Sequence, residues 1–301
     1  MAFARLRGCY GMVAPGFLTN PEVRRWLGGV EPAWTLLDFD SFCALREEPS
    51  RENRTISLSN DVTDAEINLS AVARNILILL ERANEGQGLK LTVTGNLSRN
   101  VVAEMVQRFQ WLGFEPSELA KVGKVINEPD FLPLHLIRQL AQAAKLVRRY
   151  RGTLRTTELG NKIRSNEKRR ALQAILFHLT FWHADLSYFG VGMLRSWPRS
   201  DIGVVLWSLS VSAADWQTGK KLTRLCTVPV NGLLEAEWDI GSVLMEARVL
   251  RLLVWYGLLE RKTEKSPEAL LGERHLYRKA PLFDRFLSFN VRTEQPETAQ
   301  H

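Results

Sequence analysis

Residues 69–83 place Leu69, Val72, Ala73, Ile76, Leu77 and Leu80 at a spacing that gives a helix one continuous apolar stripe. Such a stripe must be buried against other elements. The glycines of Glu85-Gly86-Gln87-Gly88 end this helix, Leu89-Lys90-Leu91-Thr92 alternates like a short strand, and Val101, Val102, Met105, Val106 and Phe109 mark the next helix. Residues 131–144 line one face with Leu134, Ile137, Leu140, Ala141 and Ala144, and the other with His135, Arg138, Gln139 and Gln142. Amphipathic helices broken by short strands predict a mainly α chain with small β-hairpins.

A hairpin is expected directly after residue 144. Residues 146–150 (LVRRY) and 153–156 (TLRT) flank the turn pair Arg151-Gly152, and a helix follows from Thr157. Leu89-x-x-Thr92-x-x-Gly95-Asn96 and Leu154-x-x-Thr157-x-x-Gly160-Asn161 share a pattern offset by 65 residues, which reads as an internal echo. In each, the threonine would cap a helix and the glycine would let that helix approach a neighbour. A third version has an apolar helix over residues 240–256, strands over 258–263 and 275–279, and a helix opened by Pro281. Further helices are expected over 171–182 and 201–224, with Asp201 as a cap. Asn20-Pro21-Glu22 starts a short helix that stops at Gly28, and residues 47–60 read as an exposed loop or linker. Trp182, Trp197, Trp207, Trp216, Trp238 and Trp255 are expected to build an aromatic core between modules.

Forty Lys and Arg against 33 Asp and Glu leave a net charge of +7. The excess is local. Residues 138–170 hold eleven basic residues against Glu158 and Glu167, a net of +9, so the rest of the chain carries −2. Such a segment suits a polyanion, and nucleic acid is the first candidate because neutralising phosphates releases counterions; a solvated basic face is the plain alternative. Cys9, Cys43 and Cys226 are too far apart for a metal knuckle or a redox pair, which fits a reducing cytoplasm. Gly8, Pro15 and Gly16 interrupt the apolar stretch that a signal peptide needs, and no run is long enough to cross a bilayer.

Residues 139–163, reading QLAQAAKLVRRYRGTLRTTELGNKI, resemble the recognition helix, wing and terminal helix of bacterial winged-helix regulators. The resemblance covers residues 131–165. It implies that Arg138, Gln139 and Gln142 face base edges, whereas Lys145, Arg148, Arg149, Arg151 and Arg155 contact phosphates. The chain departs from the family ahead of this block, where Glu128-Pro129-Asp130 and Pro133 lengthen the connection from any helix near residues 117–125. The 89–99 and 273–289 blocks are similar to uncharacterised bacterial proteins built of repeated winged-helix-like modules. The implied architecture is two or three such modules, with a homodimer spanning two half-sites.

Other chemistry finds little support. Residues 34–40 (WTLLDFD) superficially resemble the D-x-D strand of haloacid-dehalogenase phosphatases, but Ser41-Phe42 stands where Gly-Thr should follow, and Asp40 reads as a helix cap. His178, His183 and Asp185 are capable metal ligands, but the two histidines lie five residues apart, which on an α-helix turns them about 140° from each other; a loop beginning at Asp185 would rescue a site, and packed or surface histidines are the plainer reading. Gly190-Val191-Gly192 and Gly219-Lys220-Lys221 each lack residues of a nucleotide loop. No cofactor, metal or membrane partner is expected.

The expectation is therefore an irregular segment over 1–65, a first module over 66–113, a basic central module over 114–198, a third over 199–291, and a disordered tail over 292–301. The leading function is DNA binding, with no catalytic residue. A protein-interaction scaffold of the same modules is the alternative, and a phosphatase-like enzyme using Asp38 and Asp40 a further one.

Overall fold

The computed structural model describes residues 16–122, 126–166, 168–185, 193–267 and 272–294; Cys9, Glu167, Gly190, Gly192 and residues 295–301 lie outside them. The chain is mainly α-helical with small antiparallel sheets. It divides into two compact units, one of residues 59–183 and one of residues 1–58 with 184–301.

The second-named unit begins with α1 (Pro21–Leu27), α2 (Phe39–Leu45) and β1 (Ile56–Leu58). Asn20 caps α1, and Gly28 ends it in the left-handed conformation. The expected linker over 47–60 is shorter than the sequence suggested, because Ile56 is buried and enters a strand.

The unit of residues 59–183 contains α3 (Asp64–Leu69), α4 (Ala71–Asn84), β2 (Leu89–Lys90), α5 (Arg99–Arg108), α6 (Pro116–Val122), α7 (Leu132–Ala143), β3 (Val147–Tyr150), β4 (Thr153–Thr156), α8 (Glu158–Arg164) and α9 (Leu172–His178), which a π turn extends through Leu179–His183. The stripe foreseen for α4 is buried at Val72, Ala73, Ile76 and Leu80, while Leu69 lies outside the helix and is exposed. Sheet order is β2-β4-β3, all antiparallel, with Leu89 opposite Leu154 and Arg148 opposite Arg155.

That pairing corrects two expectations. The boundary at 113/114 would cut through one sheet, so residues 66–113 and the following block form a single unit. The 65-residue echo also matches neighbouring strands rather than successive repeats. Thr157 does cap α8, donating to the Leu146 carbonyl and accepting the Gly160 N–H, whereas Thr92 closes a turn on Asn96 and α5 starts at Arg99.

Gly160 fulfils its expected role. A Cβ there would lie 2.2 Å from the Leu146 carbonyl oxygen and 2.6 Å from Thr156 Cγ2. Gly160→Ala should therefore destabilise the protein by about 1–3 kcal/mol through overpacking against backbone, read from its urea midpoint.

The chain then returns to the other unit with α10 (Ile202–Ser212), β5 (Gln217–Thr218), α11 (Gly219–Cys226), α12 (Asn231–Leu234), α13 (Ile240–Met245), a π turn (Glu246–Leu250), α14 (Arg251–Trp255), β6 (Leu259–Lys265), β7 (Glu273–Lys279), α15 (Pro281–Phe286) and β8 (Leu287–Phe289). Sheet order is β5-β7-β6, and β8 pairs with β1. The helices expected over 201–224 are α10 and α11, with β5 between them. Asp201 makes no cap; its carboxylate instead accepts from Arg46 Nε. Residues 292–294 of the expected disordered tail are held by a Leu37–Thr293 bridge and by Arg292 on Asp38 and Asp40.

Both units thus repeat one connection. A helix leads to a short strand, further helices follow, and a hairpin returns so that its second strand pairs with the first strand. Tryptophan placement is mixed: Trp197, Trp207 and Trp255 are buried, but Trp238 is 54% exposed. No described helix is long and apolar enough to cross a membrane.

Candidate nucleic-acid interface

Hairpin β3–β4 turns in two residues, Arg151 at φ +47° and Gly152 at φ +72°. Two-residue hairpins favour Asn-Gly here because both positions need positive φ. An arginine instead sets a cation at the tip. Lys145 also has positive φ (+56°), at the exit from α7 where glycine is usual. Arg148 and Arg155 are directly opposed, an arrangement of like charges that disfavours the folded strand pair. Around the exposed Tyr150 ring stand Arg148, Arg151 and Arg155, their guanidinium carbons 5.6, 5.2 and 5.2 Å from its centroid. This contact fixes the cations near one another without neutralising them. Arg149 lies across Gly95, where a Cβ would come within 2.7 Å of its Nη1.

Charge partners split the basic segment in two. Arg138 pairs with Glu128, Lys162 with Glu158, Arg164 with Glu81, Arg169 with Asp64 and Arg170 with Asp61. Among the described residues, no carboxylate forms an ion pair with Lys145, Arg148, Arg149, Arg151 or Arg155. Four of these five are exposed, and Arg155 is half-buried. They are the five residues assigned above to phosphate contact.

The residues assigned to base edges fare differently. Gln139 is exposed and Gln142 half-buried on the open side of α7, but Arg138 is buried. The expectation that Arg138 faces a base is corrected, because its Nε donates to buried Glu128 and its Nη1 donates to Gln142 Oε1 at 2.7 Å. Sequence reasoning missed Glu128, which has no exposed surface and also accepts the Leu97 backbone N–H at 2.6 Å. Its signal was an acidic residue seven and ten positions before His135 and Arg138, in a loop that gave no reason to expect contact.

The hairpin β6–β7 of the other unit is also rich in cations, yet most meet carboxylates. Lys262 lies 2.9 Å from Glu264, Arg274 3.5 Å from the same residue, Arg278 2.6 Å from Glu260 and Lys279 2.8 Å from Asp284. Two hairpins of like connection therefore differ in whether their charge is balanced.

The other candidate sites resolve simply. Asp38, not Asp40, caps α2, accepting the Ser41 N–H at 2.7 Å. Hydrogen bonds from Ser41 hold the Asp38 carboxyl below the usual range, with Arg292 adding to the effect. A depressed folded-state pKa contributes stability above the unfolded value of about 4, and that stability is lost as pH falls through the folded value. Asp38→Ala should cost about 1 kcal/mol at neutral pH and less in acid, measured by denaturant unfolding across pH. His178 and His183 do meet, contrary to the α-helical geometry: the π turn brings their Nε2 atoms to 3.2 Å.

Residues 68–169 match the family model described as the Y4jL N-terminal domain. A protein of Sinorhizobium fredii (strain NBRC 101917 / NGR234) described as "Uncharacterized protein y4jL" is 32% identical over 105 residues, which cover 35% of this chain and 47% of that protein. The chain thus spans about half the length of the curated relative it matches. No solved structure matches. The matched stretch runs from the helix ahead of β2 past the end of α8, so this chain is similar to the Y4jL N-terminal domain through the part that holds the unbalanced hairpin.

Proposed function

We propose that residues 59–183 form a winged-helix-type module that binds duplex DNA, with α7 addressing a groove and hairpin β3–β4 the phosphates. The observation that carries this reading is the set of five cations left without carboxylate partners around one hairpin, in a segment whose other cations are mostly paired. Keeping Arg151 and Lys145 in left-handed backbone and Arg148 opposite Arg155 costs stability, of order 1 kcal/mol for each left-handed residue. A polyanion offsets that cost by neutralising the group. The sheet order β2-β4-β3 and the helix preceding the hairpin agree with a winged helix. Reading by one helix per module further implies a homodimer, checked by light scattering with and without duplex.

Arg151→Asn tests the trade directly. It gives the hairpin the favoured Asn-Gly pair, so thermal stability should rise by up to about 1 kcal/mol while affinity for duplex falls. Affinity that holds steady as stability rises would count against a role in binding. For the unit holding β6–β7, a protein-contact role is the better reading, because its hairpin cations are largely balanced by carboxylates.

A further inference from the structure

Gln139 and Gln142 are each held by the residue one turn earlier, and both holders meet the same carboxylate oxygen. Glu128 Oε1 accepts from Arg138 Nε and lies 3.3 Å from His135 Nδ1. Gln139 Nε2 lies 2.5 Å from His135 Nε2, and Gln142 Oε1 accepts from Arg138 Nη1 at 2.7 Å. Chemistry then decides which way each amide faces. A carboxylate only accepts, so a neutral His135 keeps its proton on Nδ1 and leaves Nε2 as an acceptor. Gln139 must answer with an N–H, keeping its oxygen and second N–H for the outside. Arginine only donates, so Gln142 must turn its oxygen inward and its NH2 outward.

We infer that Glu128 is a positioning residue that sets the hydrogen-bond polarity of the open side of α7, so that Gln139 suits adenine and Gln142 suits guanine. Adenine offers a donor and an acceptor in the major groove, matching the outward oxygen and N–H of Gln139; guanine offers two acceptors, matching the outward NH2 of Gln142. Three residues of helix rise about 4.5 Å, which places the two amides near neighbouring base pairs. An unanchored glutamine can flip and accept either pattern, so the buried carboxylate supplies the discrimination. This inference rests on the DNA-binding reading above.

The test is selection by the full chain from a pool of duplexes randomised over the site, followed by sequencing. The wild type should enrich adenine beside guanine. Gln139→Ala should lose the adenine preference and Gln142→Ala the guanine preference, each by about tenfold in affinity ratio. Both remove side chains that reach solvent, so folding is retained. His135→Leu should broaden the adenine position alone, and the pair Glu128→Gln with Arg138→Met the guanine position, with circular dichroism reporting the fold. A purely structural role would weaken binding to every duplex alike. The inference is overturned if duplex is retained but other bases are enriched, or if the glutamine variants select the same sequence. Failure of the wild type to retain any duplex at moderate salt overturns the DNA-binding reading as well.

Discussion

Replacing Arg148, Arg149 and Arg151 together by alanine should abolish most of the protein's affinity for duplex DNA at moderate salt. Each phosphate contact contributes about 0.9 to the slope of log affinity against log salt, so losing three should flatten that slope by between two and three. Because none of these arginines has an ion-pair partner among the described residues, their removal breaks no salt bridge. It also relieves the opposition of Arg148 and Arg155. The loss of two cation–π contacts to Tyr150 opposes that relief, so folding stability should change by no more than about 1 kcal/mol while binding collapses, which separates a lost contact surface from a damaged fold. Fluorescence anisotropy over a salt series reads the slope, and denaturant unfolding reads the stability. A slope unchanged by the triple substitution would refute phosphate contact by this hairpin.

Arg138→Ala should have the largest effect on stability. It leaves the Glu128 carboxylate buried without its cation, and breaking such a pair typically costs about 3–5 kcal/mol. Domains of this size are stable by only about 5–15 kcal/mol, so the urea midpoint should fall sharply. The double change Glu128→Gln with Arg138→Met removes both charges and should recover much of the loss, because the cost lies in the unpaired ion rather than in the missing bond. If Arg138→Ala unfolds at the wild-type midpoint, Glu128 is not the buried, charged anchor described above.

What the sequence revealed follows the range over which its signals act. The stripe of α4 depends on spacing within one helix, and the β3–β4 turn on Arg151-Gly152 between two alternating runs; both are local and both were legible. The exposure of Arg148, Arg149 and Arg151 was legible for the same reason, since a short hairpin projects its charges wherever it is placed. Arg138 was not. Helical period puts it beside Gln139 and Gln142, and only the 3-10 turn of Glu128–Asp130 that leads into the helix, whose path no period fixes, brings a carboxylate beneath it. Pairing of Leu89 with Leu154, and of Ile56 with Phe289, joins segments far apart in sequence, which no periodicity reports. The meeting of His178 and His183 escaped because the 3.6-residue turn was assumed where the chain makes a π turn.

Backbone amide exchange on the full chain, with and without a duplex of about 20 base pairs, tests the central claim most directly. The account predicts new protection over residues 147–156 and along the open side of α7, weakening as salt rises, with the β6–β7 hairpin unchanged. Protection confined to residues 259–279, or none at salt where duplex is bound, would contradict it.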